Sequence, residues 1–205
     1  MENYSKKLEE LIAGLEGRVP RLLLHACCAP CSSYCIEYLS EFFEITVLYY
    51  NPNITPDEEY IHRIEELRRF VDAFPTKHKV EMIETSPCHQ DFLDAVKGLE
   101  SLPEGQDRCF ICYRQRMEEA ARIGAEGGYD YFTTTLSISP LKNAQKINEV
   151  GEELATIYNI EHLPSDFKKK NGYLRSTQLS SEYNMYRQDY CGCEFSKRDR
   201  YKNKT

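Results

Sequence analysis

Short apolar runs alternate with amphipathic stretches along most of this chain, and that alternation restricts the fold more than any other feature. Arg21-Leu22-Leu23-Leu24-His25-Ala26 is a nearly unbroken apolar run after Pro20, the pattern of a strand buried on both faces. Residues 44–50, 79–83, 129–135 and 160–163 read as further strands, with 129–135 rich in β-branched and aromatic side chains. Between them, residues 4–15, 30–39, 56–74, 87–97, 108–123 and 141–158 read as helices. Strands alternating with helices predict an α/β fold, a parallel sheet covered by helices on both faces. The ligand site of such a sheet lies at the carboxyl ends of its strands. That places it between His25-Ala26-Cys27-Cys28 after the first strand and Thr133 to Ser139 after the fourth.

A length of 205 residues fits one domain spanning 1–205. Its α/β core is expected over 1–163, followed by a basic, Tyr-rich segment over 164–205 that folds back as helices over the site. Hydrophobic residues at 41% and charged residues at 29% give a soluble globular balance. No apolar run approaches the roughly 18 residues of a membrane span, and MENYSKKLEE lacks the apolar core of a secretory signal. A cytoplasmic protein without a membrane partner is the expectation, and a reducing compartment disfavours disulfides.

The net charge is −7, but it is unevenly spread. Residues 165–205 carry ten Lys/Arg against five Asp/Glu, a net of +5, which leaves −12 on the other 164 residues. Such asymmetry points to a polyanion partner for the C-terminal part. There, basic side chains, aromatics and a turn glycine crowd together in Asp166-Phe167-Lys168-Lys169-Lys170-Asn171-Gly172-Tyr173-Leu174-Arg175. Basic groups neutralise phosphates, and aromatic planes stack on unpaired bases.

Nine cysteines are the chemical signal. Cys27, Cys28, Cys31 and Cys35 fall within nine residues, Cys109 and Cys112 form a C-x-x-C, Cys191 and Cys193 form a C-x-C, and Cys88 stands alone. Thiolates favour zinc and iron–sulfur clusters. Structural zinc is satisfied by four ligands, so six thiols from three distant segments fit an iron–sulfur cluster beside a second metal or redox pair better. Cys27, Cys28, Cys109, Cys112, Cys191 and Cys193 are therefore the candidate metal ligands. Neighbouring side chains diverge, so Cys27 and Cys28 are expected to face different centres. Cys35 reads as core, Cys88 as a small buried hydrophobe, and Cys31 is open between core and ligand. His25 reads as a residue that orients a ligand, and His62, His78, His89 and His162 read as ordinary surface or core residues.

Four stretches, HACCAPC at 25–31, RCFICYRQRM at 108–117, SISPLKN at 137–143 and DFKKKNGYLRSTQLSSEYNMYRQDYCGCEFS at 166–196, closely resemble the QueH-type epoxyqueuosine reductases. The resemblance runs from residue 21 to 196. It implies a Rossmann-like sheet of the adenine nucleotide α-hydrolase type. ATP-using relatives of that fold carry a Ser-Gly-Gly phosphate loop after the first strand. CCAPCS stands in that place here, without a glycine to admit a phosphate to the backbone, so ATP binding is not expected.

The implied reaction reduces the epoxide of epoxyqueuosine, at the wobble position of a tRNA anticodon, to the alkene of queuosine. Two electrons and two protons enter, and the oxygen leaves as water. The resemblance also implies a [4Fe-4S] cluster, with a second iron able to act as a Lewis acid, and an unidentified electron donor. The spacing does not divide the cysteines between the two metals. Asp107 and Asp189, each two residues before a cysteine pair, are candidate catalytic acids or oxygen ligands. Lys168, Lys169, Lys170 and Arg175 are the candidate tRNA phosphate contacts. Alternative readings are a zinc-stabilised RNA-binding protein without catalysis, a thiol–disulfide oxidoreductase using Cys109 and Cys112, and, disfavoured by the missing phosphate loop, a tRNA-thiolating ATPase.

Overall fold

The computed structural model describes residues 2–202; Lys204, one of the ten C-terminal cations, lies outside them. Five parallel strands form one sheet: β1 (Arg21–Ala26), β2 (Glu44–Tyr49), β3 (Val80–Glu84), β4 (Tyr131–Thr134) and β5 (Glu161–His162). Helices flank it: α1 (Tyr4–Ala13), α2 (Ala29–Leu39), α3 (Asp57–Ala73), α4 (His89–Ala95), α5 (Asp107–Glu126), α6 (Ala144–Tyr158), α7 (Gly172–Glu182) and α8 (Glu194–Lys202). This is the Rossmann-like α/β architecture that the alternating pattern predicts. No described helix is long and apolar enough to cross a membrane.

The sheet divides its side chains between two cores by the period-two rule of a strand. Leu22, Leu24 and Ala26 of β1, with Ile45, Val47 and Tyr49 of β2, pack with Ile36 and Leu39 of α2 and Leu67 and Phe70 of α3. Leu23 and Leu48 point the other way and pack with Met117 and Ala120 of α5 and Ile147 and Leu154 of α6. The alternation within β1 is invisible in the sequence because both faces are apolar.

The strand order β3-β2-β1-β4-β5 puts the reversal between β1 and β4. After β1 the chain winds outward to β2 and β3; with β4 it returns to the other side of β1. The loops that leave the carboxyl ends of β1 and β4 therefore part, and a crevice opens between them. His25 braces this edge: Nδ1 lies 2.8 Å from Thr134 Oγ1 on β4 and Nε2 lies 3.1 Å from the Tyr50 carbonyl. Burial pushes its pKa down to about 4, so the ring is neutral at pH 7.

Candidate metal centre

Two groups of thiols meet at that edge. Cys27 follows β1 directly, and Cys28 is the residue before α2, with extended backbone (φ −172°, ψ 161°). Pro30 then sets the first turn, which carries Cys31 back toward the strand end. The Cys27 and Cys28 sulfurs lie 3.8 Å apart, and those of Cys27, Cys28 and Cys31 all lie within 4.8 Å of one another. No other three His, Cys, Asp or Glu ligand atoms approach so closely among the described residues. The divergence expected of Cys27 and Cys28 is overturned, because the chain changes from strand to helix between them. A tetrahedral ion at about 2.3 Å from each sulfur spaces them by about 3.8 Å. The triad thus has the spacing of a single metal ion's ligands, and Cys31 joins it.

The triad is electrostatically uneven. Hydrogen bonds from Cys28 and Cys31, reinforced by Lys142 and Arg116, hold the Cys27 thiol well below the ordinary thiol range. The same contacts with Cys27 push Cys28 up to about 12 and Cys31 upward as well.

The second group lines one small cavity. Cys109 and Cys112 sit one turn apart on α5, three residues being the spacing that puts two side chains on one helix face. Cys191 and Cys193 enter from the loop before α8, and Asn53, Arg108, Arg116 and Lys142 complete much of the wall. Burial raises the Cys109 thiol and pushes Cys112 up to about 11 and Cys193 up to about 12. The C-x-C loop is pinned from below. Arg63 Nη1 donates to the Cys191 carbonyl at 3.0 Å, and the Thr55 amide donates to the Gly192 carbonyl at 3.0 Å. Gly192 has φ +122°, and a Cβ there would lie 3.0 Å from both Arg63 Nη1 and Ile54 Cγ1. Glycine is what this turn and this packing both require.

Three arginines of this region, Arg63, Arg108 and Arg116, are each only 1% exposed. Arg63 is paired with Glu59 at 2.7 Å. Arg108 donates to the carbonyls of Glu100 and Leu102 and lies 3.6 Å from Asp199. Arg116 differs. Its Nε donates to the Cys112 carbonyl at 3.1 Å, while Nη2 has no partner among the described residues. No carboxylate pairs with it among the described residues, and the ionisable groups that act on it most are Cys112, Cys191 and Cys27. A buried guanidinium without a counter-ion is costly, and thiolates supply one.

A cleft of about 330 Å³ lies on the solvent side. Cys27, Cys31, Lys142, Tyr173, Tyr190 and Cys191 are among its walls, so Cys191 and Lys142 border both cleft and cavity. Six cysteines from three distant segments thus line two adjoining spaces, and Cys28 stands behind them in the triad.

The remaining candidates are distributed as follows. Asp189 lines the cleft, 3.6 Å from Arg200. Asp107 is exposed as the first residue of α5, where a carboxylate suits the helix dipole, and lines none of the cavities described here. Lys168 pairs with Asp166 at 2.7 Å, Lys170 pairs with Glu9, and Arg175 holds Glu37 and Glu182 at 2.6 and 2.8 Å. Lys169 is exposed. None of these four lines the cleft, and Lys169 and Lys170 line a separate depression with Glu9, Tyr34 and Tyr38, whereas Arg187 and Arg200 line the cleft.

Cys35 is buried in the core as expected. Cys88 is exposed, contrary to expectation, because it is the residue before α4 and the turn directs it outward. His25 spends both ring nitrogens on the protein, so it orients the loop and not a ligand directly. Lys142, Arg116 and Asn53 carried no role in the sequence. Arg116 looks like a solvated helical cation, and Asn53 like part of a strand stop. Lys142 does stand in the SISPLKN motif, the one signal that pointed to it.

A family model described as epoxyqueuosine reductase QueH matches residues 22–199. Curated proteins named epoxyqueuosine reductase QueH are similar over nearly the whole chain. That of Staphylococcus epidermidis is 44% identical over 200 residues, 95% of this chain and 84% of its own. That of Streptococcus pyogenes is 42% identical over 198 residues, covering 95% and 78%. That of Acinetobacter baylyi is 36% identical over 187 residues, covering 90% and 84%.

Proposed function

The chain belongs to the epoxyqueuosine reductase QueH family, and on that premise we propose that it reduces the epoxide of epoxyqueuosine in tRNA to queuosine at the thiol-lined edge of its sheet. The observation that carries the reading is that six cysteines line two adjoining spaces that share Cys191 and Lys142, with Cys28 joined to them through the triad. Neither alternative, a zinc-stabilised RNA-binding protein or a thiol–disulfide oxidoreductase, uses so many thiols.

The donor set fits metal. The close triad Cys27, Cys28 and Cys31 suits one ion. Cys109, Cys112, Cys191 and Cys193 stand around a wider space and suit a [4Fe-4S] cluster, whose thiolates each bind a different iron. Arg116 and Lys142, cations without a carboxylate partner among the described residues, match the negative charge such a ligand set carries. When bound, the cluster supplies single electrons and the second metal a Lewis acid for the epoxide oxygen.

The chain's own residues would bind and orient the substrate. The anticodon loop is unpaired, so its wobble nucleotide can be turned out of the stack into a pocket. Tyr173 and Tyr190 offer stacking faces in the cleft, and Arg187 and Arg200 offer phosphate contacts there. Lys168, Lys169, Lys170 and Arg175 extend that field along the neighbouring surface, with Lys168, Lys170 and Arg175 already partly neutralised by carboxylates. Both aspartates are exposed, but only Asp189 lines the cleft, which supports it over Asp107 as the group that carries a proton to the departing oxygen. The overall change is epoxide plus two electrons and two protons to alkene plus water.

Incubation of the reduced protein with epoxyqueuosine-containing tRNA, followed by nucleoside mass spectrometry, tests the reading. Loss of one oxygen atom from the nucleoside in the wild type and not in Cys191→Ser supports it. Unchanged nucleoside with reduced, iron-loaded wild type refutes it.

A further inference from the structure

The wall of the four-thiol cavity holds a residue that the proposed chemistry does not yet use. Asn53 is 1% exposed, and neither its Oδ1 nor its Nδ2 has a hydrogen-bond partner among the described residues. Asn51, two residues earlier, is also buried, and its Oδ1 too has no partner among the described residues, but its Nδ2 donates to the Ala26 carbonyl at 2.8 Å. The contrast is informative, because a buried amide with neither end paired destabilises a fold. An asparagine kept with both ends unpaired beside four cysteines is poor structural design and good ligand design.

Asn53 is not alone. Arg116 Nη2, on the same wall, is equally buried and equally without a partner. The cavity therefore presents at least two unpaired N–H donor groups, one neutral and one cationic, toward a space lined by Cys109, Cys112, Cys191 and Cys193. Sulfur accepts hydrogen bonds, more strongly as its negative charge grows. Donors aimed at cluster sulfurs stabilise the reduced, more negative state and so raise the reduction potential. Asn53 is also held firmly. It sits on the short loop between β2 and α3, with the Ile54 amide bonded to the Asn51 carbonyl at 3.1 Å and the Thr55 amide bonded to Gly192 at 3.0 Å.

We propose that Asn53 is a positioning residue for the cluster, donating its amide to a sulfur atom together with Arg116 and setting the potential at which electrons reach the substrate. The inference rests on the assignment of an iron–sulfur cluster to this cavity. It adds a residue outside the cysteine motifs and gives it a measurable electrochemical duty.

The test uses the full chain reconstituted anaerobically with iron and sulfide, as wild type, Asn53→Leu and Asn53→Asp. Iron and sulfide are counted, and the midpoint potential is read by potentiometric titration with electron paramagnetic resonance detection. The leucine variant keeps wild-type iron, and its reduced-to-oxidised ratio at the wild-type midpoint falls about tenfold, a shift of about 59 mV to more negative potential. The aspartate variant, which replaces the donor by an anion, shifts further the same way. In metal-free protein, Asn53→Leu melts at the same or a higher temperature, because an unpaired buried amide has been removed; a structural role would lower it. If the leucine variant fails to hold the cluster, Asn53→Ser, with a shorter donor, shows a smaller negative shift. Wild-type iron content with an unmoved midpoint overturns the inference alone. A wild type that takes up zinc and no iron overturns the cluster assignment and the inference with it.

Discussion

The triad of Cys27, Cys28 and Cys31 and the four-thiol cavity of Cys109, Cys112, Cys191 and Cys193 are built from the same side chain but in opposite ways. The triad comes from one stretch of five residues, and its geometry is set locally by a strand ending and a helix beginning. The cavity is assembled from α5 and a loop about 80 residues later, and long-range ties from Arg63 and Thr55 hold that loop. In the triad the thiols act on one another, contacts with Cys28 and Cys31 holding Cys27 down while raising theirs. In the cavity, burial raises the Cys109, Cys112 and Cys193 thiols, and a buried guanidinium and amide stand without a partner among the described residues. A local site tolerates damage elsewhere in the fold; a composite one does not. The comparison also says that the cavity is the part that needs a charged occupant.

Cys191 borders both spaces, so Cys191→Ser is expected to do the most damage. Conversion of epoxyqueuosine-tRNA should fall by more than about 100-fold, since even outer-shell partners of a metal cost 10–100-fold, with iron content falling in parallel. A serine variant that kept full iron would break the comparison.

Arg116→Met removes the unpaired cation. Cluster uptake should drop by roughly tenfold or more, while the metal-free protein becomes equally or more stable, by about 1–4 kcal/mol, because an isolated buried charge is gone. Denaturant melts of both forms check the sign. Loss of stability in the metal-free form would mean that Arg116 serves the fold.

His162 lies away from both thiol groups and isolates the framework. Neither of its ring nitrogens has a partner among the described residues, and burial pushes its pKa down to about 3. The unfolded state, with the ordinary imidazole pKa of about 6.5, binds the proton first, so the stability this neutral ring provides is complete above about pH 6.5. It is lost as pH falls from there toward 3. His162→Phe should flatten that acid limb in melts of metal-free protein, and an unchanged limb would contradict the assignment.

Gly192→Ala sharpens the comparison further. Strain at φ +122° costs about 1–3 kcal/mol and presses on Arg63, so iron should be lost from the composite cavity while the triad still takes one cobalt ion, read by its thiolate charge-transfer bands. Cys88→Ser should do least. The thiol is exposed, and both iron content and conversion should match wild type, with stability within about 0.5 kcal/mol.

Much of this was legible in the sequence. The five strands and their helices follow from apolar runs such as Leu22–Leu24, and the site edge follows from parallel topology. The three cysteine groups announced themselves by spacing. What was hidden depends on tertiary partners. Nothing in Cys27-Cys28 alone says that a strand-to-helix change turns their sulfurs together. Arg116 and Arg63 sit in helices where a cation ordinarily faces water, and only the fold buries them. The Lys168–Lys170 run reads as a phosphate grip until Glu9 and Asp166 are found beside it.

The account stands or falls on what metal the seven thiols hold. Iron and acid-labile sulfide, counted on protein prepared and reconstituted without oxygen, test this most directly. Two adjoining centres predict about five irons and four sulfides per chain, falling to about one iron when Cys109 and Cys112 are both replaced by serine. A single zinc with no sulfide, unaffected by those replacements, would contradict it.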